Sequence, residues 1–184
     1  MTIVDRHSNT FSHYDPQGNL LFYWRGVEQP GSVRAGVPQS VSALGNDGGH
    51  TLYALDPSQN LIHVYRLSAF GRLVHEAVRL TLDGRYAESE PLWREAARLN
   101  ANFAPAYQGM GLAAYRRGDF LEAMRLYQEA GDAKGYSDAL WQVRLQWFQR
   151  YFPWLANGTV AASAALLAAS KLRHRRLSRG AASA

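Results

Sequence analysis

The sequence predicts an α+β chain built from several parts: antiparallel strands first, helical hairpins next, and an apolar helix near the C-terminus. Three observations predict it. Two stretches of alternating apolar residues match each other when displaced by 51 positions. A second repeat, 34 positions long and helical in its spacing, begins at residue 70. From Tyr151 to Ser170 no residue is charged, and five basic residues follow before the C-terminus.

The strand repeat pairs "TIVDRHSNTFSHY" with "YALDPSQNLIHVY". Asp5 aligns with Asp56, Asn9 with Asn60 and Tyr14 with Tyr65, while Val4 and Phe11 fall opposite Leu55 and Ile62. Each copy reads as an apolar run, then Asp-x-x-x-Asn, then an alternating run. The polar unit suits a tight connection, because Asp and Asn side chains bond nearby backbone and tolerate unusual dihedrals. The flanks alternate as half-buried strands do: Phe11 and His13 against Ser12 and Tyr14, Ile62 and Val64 against His63 and Tyr65. A second turn, "DPQGN", leads into a third strand, "LLFYW", and the glycines of "GNDGGH" mark a loop between strands. A strand repeat of this length points to propeller blades. The run "VDRHSNTFSHYDPQGNLL" resembles the NHL repeat, with that family's Val-Asp, Asn, aromatic, Tyr-Asp and Gly in order. The resemblance implies that residues 1–69 are NHL-like blades of a partial propeller, the end of a longer one or a remnant. A small independent antiparallel sheet is the alternative.

The middle of the chain, residues 70–137, holds the 34-residue period. Laying 70–103 over 104–137 brings Gly84 onto Gly118, Tyr86 onto Phe120, Ser89 onto Ala123, Trp93 onto Tyr127 and Ala96 onto Ala130. Tyr107, Met110, Gly111 and Ala114 share one helical face. Gly111 and Ala123 are small, which lets two antiparallel helices approach, and Gly118-Asp119 makes the turn between them. The second copy closely resembles a tetratricopeptide repeat, with Gly111, Ala123, Tyr127 and Ala130 at that family's signature places. The first copy departs from it at Ser89 and at Pro91, where a proline removes a helix hydrogen bond. Ser137 is the expected N-cap of a further helix, 138–152, whose stripe Trp141, Leu145, Phe148 and Phe152 would cap the stack.

What the resemblance implies about binding is a concave surface formed by the first helix of each pair. Carried onto this chain, that surface consists of Val74, Val78 and Leu82 from the first copy, and Gln108, Leu112, Tyr115 and Arg116 from the second. A protein or peptide partner would lie there; the alternative is that the strip packs against the chain's own strands. Val74 and Val78 stand where a carboxylate-clamp member would carry Lys and Asn, so recognition of a C-terminal carboxylate is not expected.

Catalytic and cofactor motifs are not found in the sequence. There is no cysteine, which excludes disulfides and thiolate metal sites. His75-Glu76 begins like a metalloprotease helix, but Arg79 falls at the second histidine position. His7, His13, His50 and His63 lie in the strand region and read as surface residues, with no expected meeting of His13 and His63. The expectation is a non-enzyme without cofactor or metal. The resemblance leaves one catalytic alternative, a fragment of a gluconolactonase-type propeller hydrolase.

Charge sharpens the C-terminal reading. Lys171, Arg173, Arg175, Arg176 and Arg179 hold five of the 20 Lys and Arg residues, and the remaining fifteen equal the 15 Asp and Glu. The basicity therefore belongs to a tail, 171–184, and not to a nucleic-acid-binding face. The run 151–170 has the length of one membrane span, with Trp147, Phe148, Tyr151, Phe152 and Trp154 around its start, where an interfacial belt would lie. An interfacial helix and a soluble alanine-rich helix are the competitors. The N-terminal "MTIVDRHSNTF" has neither a basic nor an apolar leader segment. Blades, then helical repeats, then an apolar helix ending in basics resembles a bacterial envelope architecture, often continued by a Yip-type domain. That resemblance implies a truncated scaffold in the bacterial cell membrane, spanning it once with the basic tail in the cytoplasm.

Overall fold

A computed structural model describes residues 1–25, 37–48 and 50–180, the backbone alone for residue 168 and residues 170–180. The side chains of the basic tail, Lys171 to Arg179, thus lie outside the described residues, as do residues 181–184.

Among the described residues six strands form two antiparallel sheets of three, and five helices follow. The first sheet runs β1 (Thr2–Asp5), β2 (Thr10–Tyr14), β3 (Leu20–Arg25); the second runs β4 (Ala43–Asn46), β5 (Thr51–Asp56), β6 (Leu61–Arg66). The 51-residue repeat is visible as two hairpins, β1–β2 and β5–β6, with Val4 opposite Phe11 and Leu55 opposite Ile62. Both turns hold their asparagine in the left-handed region, Asn9 at φ 49° and Asn60 at φ 53°, a conformation Asn accepts more readily than most residues. The third strand sits differently in the two sheets: β3 follows the repeated hairpin, and β4 precedes it. Between the sheets lies a small core of Phe11, Val41 and Ala54. There Phe11 stacks on Trp24 with ring centroids 4.9 Å apart and meets Tyr65 at 5.5 Å, and burying the whole Phe11 ring contributes about 2–3 kcal/mol.

The helices are α1 (Ala69–Leu82), α2 (Tyr86–Leu99), α3 (Ala104–Arg117), α4 (Phe120–Glu129) and α5 (Ala133–Gly180). Ser68 caps α1 by accepting a hydrogen bond from the Gly71 N–H. Three connections close in the same way. Gly84, Gly118 and Gly131 each take a positive φ, and the next residue's N–H returns to a carbonyl of the last turn: Arg85 to Leu80, Asp119 to Ala114, Asp132 to Tyr127. Glycine after a helix supports this closure because it has no Cβ to clash there. The main core joins α1 to α5 through Val74, Ala77, Trp93, Ala96, Ala106, Met110, Ala123, Tyr127 and Ala139.

Two rings organise the helix stack. Trp93 of α2 donates from its indole N–H to Thr81 Oγ1 on α1 at 2.9 Å and lies against Gly109 of α3, where a Cβ would come within 2.3 Å of it. Tyr127 of α4 covers Gly111 of α3, as the small-residue argument expects, and also Gly135 of α5, where a Cβ would meet the ring at 2.5 Å. Gly109 and Gly135 escaped the sequence reading. Helix α2 continues through Pro91 without interruption.

The C-terminal region departs from expectation. A single helix, α5, replaces the separate capping and apolar helices. Its start is earlier than Ser137: Asp132 Oδ1 accepts from the Gly135 N–H at 2.9 Å, and Ser137 lies inside the helix. The stripe Trp141, Leu145, Phe148 and Phe152 does not cap the core, since Trp141 is 63% exposed and the others are also exposed. The face that packs carries Gly135, Tyr136 and Ala139, with Gly135 directly against the Tyr127 ring. Among the described residues no helix is long and apolar enough to cross a membrane, so the apolar C-terminal helix expected over 151–170 is not found as such. Asn157, Gly158 and Thr159 dilute the apolar run with polar and small residues.

Candidate functional site

Helices α1 and α3 lie side by side, and their exposed faces meet the β2–β3 turn across a cleft of about 500 Å³. Six of the seven predicted residues line it: Val78, Leu82, Gln108, Leu112, Tyr115 and Arg116. Val74 does not. It is fully buried in the core with Leu21 and Ala77, which leaves no surface for a partner. The strip is thus partly covered by the chain's own strand β3, because Leu21 packs down onto the helices.

The lining residues differ in freedom. The Tyr115 hydroxyl accepts from Gln142 Nε2 of α5 at 3.2 Å, and its ring meets Phe120 edge-on. The Arg116 guanidinium lies over the Tyr86 ring at 5.5 Å, joining α3 to α2. Leu82 and Gln108 are exposed and Leu112 is half-buried, so these three offer the accessible wall. Asp15 and Asn19 of the β2–β3 turn, with Lys134 and Asp138 of α5, surround it with polar and charged groups. Tyr127 also reaches the cleft. Burial pushes its hydroxyl up to about 12, with Asp132 adding to the effect, so it stays a neutral phenol at physiological pH.

A second cavity of about 580 Å³ opens where both sheets meet α1. Phe22, Trp24, Tyr65 and Phe70 supply aromatic walls, and His13, His50 and His75 reach the same space. His13 on β2 and His75 on α1 meet with their Nε2 atoms 3.0 Å apart. The other nitrogen of His13 pairs with Thr2 Oγ1 at 2.8 Å. Burial, with His75 alongside, lowers His13 to about 4, and burial also lowers His75. Both rings are therefore neutral at pH 7. No residue pattern signals this meeting, because 62 residues separate the pair.

His63 is another departure from the surface reading. It is buried beside Asp56, its Nε2 3.7 Å from Oδ2. Asp56, itself fully buried, accepts from the backbone of Gln39, Ser40, Ser58 and Gln59 and from the Ser58 hydroxyl. Burial alone would raise its pKa; these donors outweigh that and hold the carboxyl below its usual range. The role is structural, tying residues 37–41 to the β5–β6 turn. Among the described residues no group of three or more His, Asp or Glu side chains is placed to hold a metal ion.

No protein-family model matches this chain, and no curated protein sequence matches it.

Proposed function

We propose that this chain is a non-enzymatic interaction scaffold that holds a protein or peptide segment in the α1–α3 cleft and is tethered to a membrane through α5. The observation that carries the reading is the cleft itself. Leu82, Gln108 and Leu112 form an open, largely apolar wall flanked by charged groups, a composition that suits apolar side chains of an extended segment and leaves its backbone near polar partners. The recurring 34-residue helix pairs, closed by glycines at 84 and 118, support a tetratricopeptide assignment for residues 70–137. The repeated hairpins support NHL-like blades for residues 1–69. The outer face of the second sheet exposes Tyr53, Leu55, Ile62 and Val64, as a blade with a neighbour would.

Support for the tether comes from α5. Trp147, Phe148, Tyr151, Phe152 and Trp154 are all exposed, which is costly in water and favourable at a lipid interface. Uncharged sequence follows to Ser170, then the basic tail. In a bacterial cell membrane those basic residues would favour the cytoplasmic side.

A selection from a random peptide library tests the cleft. Enriched peptides are expected to lose at least roughly tenfold in affinity for Leu112→Glu, since a carboxylate on the apolar wall desolvates without a partner. Peptides that bind Leu112→Glu as tightly as the parent chain would remove the cleft from consideration.

A further inference from the structure

We propose that His13 and His75 form a two-histidine site for an imidazole-preferring divalent cation such as Zn²⁺, Ni²⁺ or Cu²⁺, opening onto the cavity between the sheets and α1. The ring centroids are 5.0 Å apart and the nearest nitrogens 3.0 Å, so the rings meet at their Nε2 edges and not face to face. Two nitrogens 3.0 Å apart, each at the usual ~2.0–2.1 Å from a metal, subtend roughly 95° at the ion, the angle of neighbouring ligands in an octahedral or slightly closed tetrahedral site.

Three further features agree. Thr2 Oγ1 is 2.8 Å from His13 Nδ1; in the tautomer in which it accepts the Nδ1 proton, His13 Nε2 presents a lone pair, the outer contact that metal-bound histidines commonly have. The two ligands come from separate elements, β2 and α1, held by stacking of Phe22 on Phe103 at 5.9 Å and by its edge contact with Phe70 at 6.1 Å. Among the described residues no carboxylate lines the cavity, which disfavours Mg²⁺ and Ca²⁺ and favours nitrogen-seeking ions. With two protein ligands, the remaining positions face the cavity and take water or an exogenous donor. His50, which lines the same cavity, is the protein group best placed to approach them.

The test is calorimetric titration of the full, untagged chain with Ni²⁺ and with Zn²⁺ at neutral pH. One equivalent is expected to bind. His13→Gln and His75→Gln should each weaken binding by more than about tenfold, Thr2→Val by about tenfold through loss of the orienting contact, and His7→Gln not at all. Should a glutamine variant fail to fold, the parent chain carries the test: Ni²⁺ must broaden the ring resonances of His13 and His75 before those of His7 and His63. No saturable binding by the parent chain overturns the proposal. So does one-equivalent binding that survives both glutamine variants, or broadening that begins at His7.

Discussion

The hairpins β1–β2 and β5–β6 share a turn and differ in what they bury. In the first, Asp5 is exposed and Phe11 is fully buried; in the second, Asp56 is fully buried and Ile62, the counterpart of Phe11, is 63% exposed. Both aspartates accept the N–H two residues ahead, from His7 and Ser58 respectively. Only Asp56 also receives N–H groups from residues 39 and 40. The lesson is that Asp-x-x-x-Asn sets the turn locally, whereas the buried face depends on which segment lies across it. In the second hairpin that segment includes buried Pro38 and Val41; in the first, the inward face meets Trp24 and Tyr65.

The largest effect should come from the aspartates. Asp56→Ala removes the acceptor of five part-buried hydrogen bonds at once and should cost about 3 kcal/mol in urea unfolding, while Asp5→Ala shifts the midpoint only slightly. Equal losses would break the comparison. The pH dependence has a definite sign. The folded pKa of Asp56 lies below its ordinary 3.8, so its stabilisation is complete above that value and is lost as pH falls through the lower folded value. Asp56→Asn should therefore flatten the loss of stability as pH falls below about 4.

The helical pairs allow a similar contrast. Gly109→Ala forces a Cβ to 2.3 Å from the buried Trp93 ring, and should cost about 2 kcal/mol even after the helix-propensity gain. Gly111→Ala meets Tyr127 at 3.0 Å, and the same gain should bring it within about 1 kcal/mol of the parent chain. Thermal melts of both variants decide it. The smallest expected effects belong to the turns. Asn60→Ala should cost about 1 kcal/mol for a left-handed alanine. Asn9→Ala should cost somewhat more, because Asn9 also donates from Nδ2 to the Gln39 carbonyl.

Much of the architecture was legible in the residues. The 51- and 34-residue periods located both strand hairpins and the helix pairs, since turn chemistry and helix-closing glycines act over a few residues. Six of the seven residues carried over from the tetratricopeptide resemblance line the cleft. Val74 does not, because a residue pattern does not reveal that Leu21, 53 residues away, joins the same buried core. The His13–His75 contact and the Trp93–Gly109 contact were hidden for the same reason. At the C-terminus, a large aromatic stripe reads as a packing face, yet the core takes Gly135, against Tyr127, and Ala139 instead. Bulk was mistaken for burial.

The most direct test of the tethered-scaffold account is fractionation of the expressed chain with carbonate washing, beside a version ending at Gln149. The account predicts that the full chain stays with the membrane pellet and the shortened one is released. Retention until detergent is added would mark a span, and release by carbonate a helix lying on the surface. If both versions are recovered in the supernatant before any carbonate wash, α5 is not a membrane tether, and the exposed aromatics from Trp147 to Trp154 need another partner.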